Sequence, residues 1–291
     1  MIDSLLEEDV IDVLYTNGCS WTLGSELEQD PLVVKYLSKL GWKLQDSTDI
    51  TNWNIIDKKN KKIVSSLDLH YDKFNWSGQL KELLNTPTLI NQAFGGGSNK
   101  RILRTTLEYV MSLTPSQRKT TLVVIGWTAS ERDEIYICNS WQRWNPVQKF
   151  SESLDINHIT DKTFISRIDE FQDNYLSMVF DDYPNILNYF SNAYLLSNTL
   201  NSLGIRHLFF NALPPWWEAG HLKTDCDPFE EMPALLNWHE SNKNSLSFRD
   251  SMMGFIHRGN FATGKHLHPL KSGHNAWGAY LHTKLKENRI V

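Results

Sequence analysis

Residues Ile11-Asp12-Val13-Leu14-Tyr15 form a short, almost continuous apolar run that is followed by Asn17-Gly18. Three further runs of the same kind, also ending at Gly or Asn, cover residues 88–91, 121–125 and 205–210. Short runs of this kind are typical of strands that are buried on both faces. Residues 11–15 are therefore predicted to form the first of four strands in one buried sheet.

Segments with helical periodicity separate these runs. They cover residues 80–84, 98–111 and 185–203, and a last one begins near Ser272. The third is followed by Gly204, a typical helix C-cap residue. Alternation of strand and helix indicates parallel strands joined by right-handed crossovers. The sequence therefore predicts an α/β fold, a three-layer sandwich with a mostly parallel central sheet.

One domain is predicted to cover residues 1–291, interrupted by long loop insertions. The insertions cover roughly residues 41–77, 136–167 and 214–263, where the alternation of strand and helix fails. Loops of this length in a compact domain are usually lids, binding loops or unrecognised elements. The charged residues 57–62 are expected to form an exposed turn, as in a small hairpin.

The charge and composition exclude several classes of protein. The chain has 29 basic and 34 acidic residues, a net charge of −5, so no broad cationic face for nucleic acid is expected. No apolar run is long enough for a membrane span, and the acidic N-terminus does not resemble a secretory signal. Three scattered cysteines argue against a disulfide framework. We therefore expect a cytoplasmic protein that binds neither nucleic acid nor membrane, and no oligomeric state is predicted.

Residues able to do chemistry follow the predicted strands. Ligands of open α/β sheets bind beyond the carboxyl ends of the strands. The segments at these ends are Asn17-Gly18-Cys19-Ser20-Trp21, Gly95-Gly96-Gly97, and Gly126-Trp127-Thr128. Far downstream, His266, His268 and His274 precede or begin the last helix. The sequence thus predicts one site at this edge of the sheet.

Taken in order, these segments resemble the four sequence blocks of the SGNH (GDSL-like) hydrolase family. Gly18-Cys19-Ser20 resembles the Gly-Asp-Ser turn that carries the nucleophile of that family, and Gly96 best matches the block that donates a backbone N–H to the oxyanion. Gly126-Trp127-Thr128 stands in place of the Gly-x-Asn block, and His268-Pro269 resembles the Asp-x-x-His-Pro block. The resemblance spans residues 11–285 and implies the SGNH-hydrolase or flavodoxin-like type of sheet.

The resemblance implies a serine esterase or deacetylase that works through an acyl-enzyme intermediate. Ser20 would be the nucleophile and His268 its general base, since a hydroxyl attacks well only when an imidazole takes its proton. The oxyanion donors would be the N–H groups of Ser20 and Gly96 and the hydroxyl of Thr128. A small-molecule or glycan ester would be the substrate. Chains with a Gly-Cys-Ser-Trp block resemble phage and bacterial members of the family.

Two positions depart from the family pattern. Lys265 stands where the family has the triad acid, three residues before His268, and Thr128 replaces the Asn of the third block. An acid from elsewhere, with Glu218 and Asp225 as candidates, or a backbone carbonyl would then orient His268. Loss of one oxyanion donor costs other hydrolases roughly 3–4 kcal/mol, so the exchange to Thr would slow the reaction without abolishing it.

The same motifs also have simpler interpretations. Ser20 is equally typical of a turn residue that caps a helix, and residues 95–97 of a flexible turn or a phosphate cradle. His266, His268 and His274 could bind a metal, but no acidic cluster stands beside them in the sequence. No nucleotide-binding motif is present. We therefore predict neither a metal nor another cofactor, and a structural role for His274.

The chain contains 11 tryptophans, more than a core of aliphatic residues needs. Trp42 and Trp76 are expected to pack in the core. Those on predicted loops are candidate platforms for a sugar ring or an acyl group: Trp141, Trp144, Trp216, Trp217 and Trp238. The predicted substrate contacts are Trp21, Asn99, Trp127, Trp216, Trp217 and His266. An aromatic wall of this kind, with Trp277 close to it, would favour a bulky or ring-shaped ligand.

Two other functions remain open at this stage. The missing acid and the missing Asn are also compatible with an inactive binding or structural protein on the same fold, for example one encoded by a phage. An O-acyltransferase would use the same scaffold with an acceptor hydroxyl in place of water. Activity on an activated ester, and its dependence on Ser20, separates the hydrolase from the inactive protein.

Overall fold

The computed structural model describes most of the chain. The described residues are 10–39, 42–45, 54–57, 63–64, 71–137, 139–144, 149, 151, 161–178, 182–214 and 232–291. Their strands are β1 (Val13–Asn17), β2 (Trp42–Gln45), β3 (Asn54–Asp57), β4 (Ile63–Val64), β5 (Thr88–Asn91), β6 (Thr121–Trp127), β7 (Asp133–Ile137), β8 (Ser140–Trp144) and β9 (Arg206–Asn211). Their helices are α1 (Ser20–Leu23), α2 (Pro31–Lys39), α3 (Trp76–Leu83), α4 (Asn99–Ser112), α5 (Pro115–Lys119), α6 (Lys162–Met178), α7 (Asp182–Ser202), α8 (Pro233–Ser241), α9 (Met252–Arg258) and α10 (Lys271–Glu287).

The central sheet contains the four predicted strands in the order β5-β1-β6-β9. All three pairings are parallel: β1 with β5, β1 with β6, and β6 with β9. The four strands therefore run in one direction, and their carboxyl ends share one edge of the sheet. The connections between them contain helices. The predicted parallel α/β sheet is confirmed.

Successive residues of each central strand enter different hydrophobic cores. One core contains Leu14, Leu122, Val124, Leu208 and Phe210 with Trp76 and Leu80 of α3 and Trp277 and Leu281 of α10. The other contains Tyr15, Val123, Ile125 and Phe209 with Ile102 and Val110 of α4 and Ile186, Phe190 and Leu196 of α7. Alternate side chains of a strand point to opposite faces, so helices cover both sides of the sheet. The predicted three-layer sandwich is confirmed.

The regions predicted to be loop insertions contain regular elements where they are described. β2, β3 and β4 form an antiparallel sheet within residues 41–77, β7 and β8 form an antiparallel hairpin, and α8 and α9 lie within residues 214–263. The prediction of loops is wrong there, because elements this short and polar give little periodicity to detect. The charged residues 58–62 lie outside the described residues, but the flanking strands pair antiparallel, as in the expected hairpin.

The longest described helix is α7, which spans 21 residues but carries Asn and Ser residues throughout. In the described part of the chain, no helix combines the length and the apolar character that a membrane span requires. The single domain over residues 1–291 stays a prediction.

Candidate active site

A tight turn after β1 presents Ser20 as the first residue of α1. Gly18 is required in this turn, because a Cβ atom at its position would overlap the Thr22 side chain and approach the Gly126 carbonyl oxygen to 2.9 Å. The Asn17 side chain also holds the turn in place. It accepts a hydrogen bond from the Gly18 N–H at 2.9 Å and donates to Thr105 Oγ1 at 2.8 Å.

The far end of α1 is held by the fully buried Asn75. Its amide nitrogen donates to the Leu23 carbonyl at 3.1 Å, and its amide oxygen caps α3 by accepting from the Gly78 N–H at 3.0 Å. The helix that begins with Ser20 is therefore anchored at both ends to the core of the sandwich.

Ser20 and His268, which lie 248 residues apart in the sequence, form a hydrogen bond. The distance from Ser20 Oγ to His268 Nε2 is 2.8 Å, within the range needed for proton transfer. Trp21 is 4% exposed, and its ring lies beside the imidazole with the two ring centroids 5.8 Å apart. The predicted nucleophile and general base are thus in direct contact.

The other imidazole nitrogen of His268 faces a carboxylate. His268 Nδ1 lies 3.2 Å from Glu26 Oε2, and the Glu26 side chain is almost wholly buried. Glu26 comes from the segment after α1, whereas the sequence motif places the acid at the position of Lys265. Glu218 and Asp225, the acids suggested from the sequence, lie outside the described residues.

Glu26 also holds the backbone around His268. Its two carboxylate oxygens accept from the His266 N–H at 2.8 and 2.9 Å, and Oε2 accepts from the His268 N–H at 3.1 Å. Burial of the Glu26 carboxyl raises its pKa. The hydrogen bonds from His268, from the His266 N–H and from Gln29 outweigh that effect and lower the pKa to about 2. Glu26 is therefore a carboxylate at any pH near neutrality.

Residues 263–270, here called the histidine loop, are tied to the segment around Glu26 at several points. The Lys265 N–H donates to Gln29 Oε1 at 3.0 Å, and the Lys271 N–H, just past the loop, donates to Asp30 Oδ2 at 3.0 Å. Within the loop, Leu267 has a φ of 67°, a conformation that is strained for a residue with a side chain. Such strain persists only where the surrounding contacts impose it, as those of Glu26 do here.

The N–H groups of Ser20 and Gly96 are predicted oxyanion donors, and that role stays a prediction. Neither the Ser20 nor the Gly96 N–H makes a hydrogen bond with any described residue. Gly96 has a φ of 71°, which favours glycine, and the Phe94 N–H donates to the Gly18 carbonyl at 3.1 Å. That bond brings the glycine segment against the turn that carries Ser20.

Thr128, the third predicted oxyanion donor, is fully buried. Its hydroxyl has no hydrogen-bond partner in the described part of the chain. Its backbone N–H donates to Asn99 Oδ1 at 2.9 Å, while Asn99 Nδ2 donates to the carbonyls of Thr128 at 3.1 Å and Ala129 at 3.4 Å. The prediction that Asn99 contacts substrate is wrong, because its amide is occupied in holding the loop after β6.

The tryptophans do not form the predicted wall. Trp127 is fully buried, with its ring edge-on to Phe209 at 5.5 Å and Tyr189 at 6.2 Å, so its prediction as a substrate contact is wrong. Trp277 is equally buried, against Phe210 and Phe255. Trp216 and Trp217 lie outside the described residues, as does the side chain of Trp42. Of the predicted aromatic contacts that are described, only Trp21 adjoins the Ser20–His268 pair.

The remaining histidines near the site differ in exposure. His266 is exposed, and its backbone N–H is bound to Glu26. His274 is fully buried, and its Nδ1 accepts a hydrogen bond from the Trp76 N–H at 3.2 Å. Trp76 is the first residue of α3, so His274 satisfies a backbone N–H at the start of that helix. Burial lowers the His274 pKa to about 3, with the nearby His268 adding to the effect. His274 therefore stays neutral in the folded protein.

Glu26 is the residue that sequence reasoning missed. It lies six residues after Ser20 in the stretch Glu26-Leu27-Glu28-Gln29-Asp30, where three acids occur together. That cluster was the available signal, but acids near a helix start are common and nothing in their spacing points to a histidine 242 residues away.

Comparison with known sequences identifies a family. Residues 55–290 match a family described as a family of unknown function (DUF6071), and because this is most of the chain, the protein belongs to that family. The matched range begins after Ser20 and Glu26. No curated protein matches the sequence significantly.

Two solved structures are similar to the chain at low identity. One is the lipase Lip_vut3 from a goat rumen metagenome, 12% identical with a TM-score of 0.44, over 96% of this chain and 99% of the lipase chain. The other is a carbohydrate esterase whose active site displays divergent catalytic and non-catalytic binding functions; it is 13% identical with a TM-score of 0.37, over 94% of this chain and 68% of that one. The α/β fold assigned above depends on the strand order and not on these two similarities.

Proposed function

We propose that this member of the DUF6071 family is a serine esterase of SGNH type whose catalytic triad is Ser20, His268 and Glu26. One observation carries the proposal: Ser20 Oγ, the two imidazole nitrogens of His268 and the Glu26 carboxylate form a continuous chain of contacts of 2.8 and 3.2 Å. Such a chain converts a weakly nucleophilic hydroxyl into one that attacks a carbonyl carbon.

In the first half of the reaction, Ser20 Oγ bonds to the ester carbonyl carbon while its proton passes to His268 Nε2. The carbonyl π electrons move onto oxygen, and the N–H groups of Ser20 and Gly96 with the Thr128 hydroxyl stabilise the resulting oxyanion. Collapse of this intermediate breaks the bond to the leaving alcohol, which takes the proton back from His268 Nε2. The acyl group is then attached to Ser20.

In the second half, water attacks the acyl-enzyme while His268 Nε2 takes a proton from it, and Ser20 Oγ leaves with that proton. Glu26 acts throughout by accepting from His268 Nδ1, which keeps the Nε2 lone pair directed at Ser20. Its low pKa keeps it anionic, so it also stabilises the imidazolium that forms in each half-reaction.

The position of Glu26 bears on the alternative of an inactive protein. That alternative depended on Lys265 in place of the family acid and on Thr128 in place of Asn. A carboxylate within reach of His268 Nδ1 removes the first argument. The second argument stands in part: a hydroxyl can donate to an oxyanion, but Thr128 is fully buried, so a substrate oxygen reaches its hydroxyl only after the loop after β6 moves.

The test compares wild type with Ser20→Ala and Ser25→Ala on p-nitrophenyl acetate. Ser25 lies in the turn after α1 and serves as the matched control. Ser20→Ala should lose at least about 10³-fold in kcat/KM, whereas Ser25→Ala should keep activity within about twofold. Equal, negligible turnover in all three proteins would contradict the esterase proposal. An O-acyltransferase would instead transfer the acetyl group to added alcohol or sugar faster than to water.

A fluorophosphonate probe gives a second readout that does not depend on the choice of ester. It should label wild type and Ser25→Ala at one site, which peptide mass mapping assigns to Ser20. Labelling elsewhere, or equally in Ser20→Ala, would contradict the assigned nucleophile.

A further inference from the structure

A cavity separate from the triad lies beside the β7–β8 hairpin. Its volume is about 210 Å³. Its walls include Glu131 and Asp133 after β6, Trp144 of β8, Phe171 and Tyr175 of α6 and Asn185 of α7. No residue of the triad lines it.

We infer that this cavity binds one ring of a neutral saccharide. In the proposed esterase, that ring would belong to the alcohol part of the substrate. This role rests on the proposed function, whereas saccharide binding does not. The volume suits a single ring with a few substituents rather than a long acyl chain.

The aromatic side of the cavity supplies an apolar surface with fixed geometry. The Trp144 ring packs edge-on against Tyr175, with centroids 5.9 Å apart, and against Phe171, with centroids 6.0 Å apart. Trp144 itself is 7% exposed, so its ring is immobilised by its neighbours. The C–H face of a sugar ring is complementary to such a rigid aromatic surface, which loses little conformational entropy on binding.

The cavity lining also contains hydrogen-bonding groups. Asp133 and Asn185 offer carboxylate and amide oxygens as acceptors, and the Asn185 amide also donates. A ring with an apolar face and a rim of hydroxyls needs this combination. Pockets that pair aromatic walls with a few fixed polar groups are typical of small-molecule sites.

The charge around the cavity favours a neutral ligand over an organic cation. Lys100 Nζ lies 2.7 Å from Asp133 Oδ2, so that carboxylate already has a positive partner. Arg104 of α4 forms a two-point pair with Glu134 of β7, at 3.0 Å for each contact. The lining contains a second carboxylate, Glu131, which is 2% exposed, so the charge argument concerns Asp133: a cation bound there would have to displace Lys100, whereas a neutral ring would not.

The cavity and the proposed oxyanion loop are built on the same connection. Glu131 and Asp133 follow Thr128 by three and five residues, after the carboxyl end of β6. Asn99 binds the backbone of that loop, and the next residue of α4, Lys100, binds Asp133. The cavity wall is thus continuous in the chain with the loop that carries Thr128, and in the proposal a substrate larger than its ester group extends towards it.

Binding is measured on the Ser20→Ala protein, so that hydrolysis cannot interfere. Methyl β-D-glucopyranoside, methyl β-D-xylopyranoside and N-acetylglucosamine are the probes, read by saturation-transfer NMR and calorimetry. At least one should bind with a Kd on the order of 1–10 mM, as expected for a single ring. Asp133→Asn and Asn185→Ala should each weaken binding about tenfold, while Trp141→Ala, on the same hairpin but outside the cavity lining, should not.

Absence of binding by all three sugars, or binding of choline in their place, would overturn the inference. Because p-nitrophenyl acetate carries no sugar, the two proposals fail independently. Hydrolysis without sugar binding removes only the saccharide cavity. Sugar binding without hydrolysis keeps the cavity and removes the esterase.

Discussion

The Glu26 carboxylate contacts both the imidazole of His268 and the backbone around it. It accepts from the imidazole of His268 and also from the backbone N–H groups of His266 and His268. The acid therefore positions both the base and the loop that carries it. Its own backbone has a φ of 68°, so this side chain is directed at the loop by a conformation that costs energy.

Replacement of Glu26 by Gln should lower kcat/KM for p-nitrophenyl acetate by about 10³- to 10⁴-fold, mainly through kcat. Gln keeps the size of the side chain but loses the charge, and its amide nitrogen can donate to His268 Nδ1 and so stabilise the wrong tautomer. Steady-state kinetics with circular dichroism to verify folding measures the effect.

The matched control is Lys265→Ala, which alters the place where the sequence motif has its acid. Among the described residues, the hydrogen bond of Lys265 is made by its backbone N–H, to Gln29, and its side chain is exposed. Its activity should stay within about twofold of wild type. A large loss in Lys265→Ala together with a small one in Glu26→Gln would reverse the assignment of the acid.

At the level of elements, the start of α4 determines the shape of the loop after β6. Asn99, the first residue of α4, makes three hydrogen bonds to the backbone of Thr128 and Ala129 and is 2% exposed. Ser98 is the N-cap of α4, and its hydroxyl accepts a hydrogen bond from the Arg101 N–H at 3.1 Å. This bond fixes the start of the helix and with it the position of Asn99. The proposed oxyanion donor Thr128 is thus positioned by a helix and not by its own loop.

Asn99→Ala should destabilise the protein by about 2–4 kcal/mol, because it leaves a buried N–H and buried carbonyls without partners. It should also lower esterase activity by moving Thr128. Urea unfolding and p-nitrophenyl acetate turnover measure the two effects.

Lys100→Ala, one residue further along α4, is the control for this substitution. Lys100 forms a half-exposed ion pair with Asp133, so its loss should cost less than about 1 kcal/mol and leave turnover of this sugar-free ester unchanged. Equal stability of the Asn99 and Lys100 variants would show that the three bonds do not hold the loop.

At the level of the whole molecule, buried neutral histidines make the fold sensitive to acid. Burial lowers the pKa of His207 and of His239 to about 4 and that of His274 to about 3. They pack on different elements, β9, α8 and α10. Unfolding exposes all three to water, where each binds a proton below a pH of about 6.5.

The free energy of unfolding should therefore fall as the pH decreases from about 6.5 to about 4, since the unfolded chain binds more protons than the folded one in that range. Glu26 extends the loss further: its folded pKa of about 2 lies below its unfolded value of 4.5, so its stabilisation disappears as the pH falls from 4.5 towards 2. Urea midpoints between pH 7 and pH 4 measure the first effect.

His274→Asn tests the origin of that slope. Asn can still accept from the Trp76 N–H but does not titrate, so its profile between pH 6.5 and 4 should be shallower by about one proton. An unchanged slope, or a wild-type protein equally stable at pH 7 and pH 4.5, would contradict this account.

Sequence patterns alone predict the central sheet and suggest the Ser20–His268 pair. Apolar runs such as residues 121–125 predict strands because burial on both faces imposes a local pattern, and Gly18 marks a turn that no other residue fits. The hairpin of β7 and β8 was not predicted, because apolar and polar residues alternate only weakly along it. In the structure, β7 has one buried position. A hydrophobic pattern therefore predicts a strand only where burial of that strand imposes the pattern.

Two features follow only from the packed fold: the acid that faces His268, and the tryptophans that belong to the core. Glu26 and His268 are 242 residues apart, and their contact follows from how two loops meet at one sheet edge, which no spacing in the sequence encodes. Trp127 is the middle residue of the Gly126-Trp127-Thr128 block, yet the alternation of side chains along β6 directs its ring into the core, against Phe209. Side-chain chemistry can be read residue by residue, but proximity and burial arise only when the layers pack together.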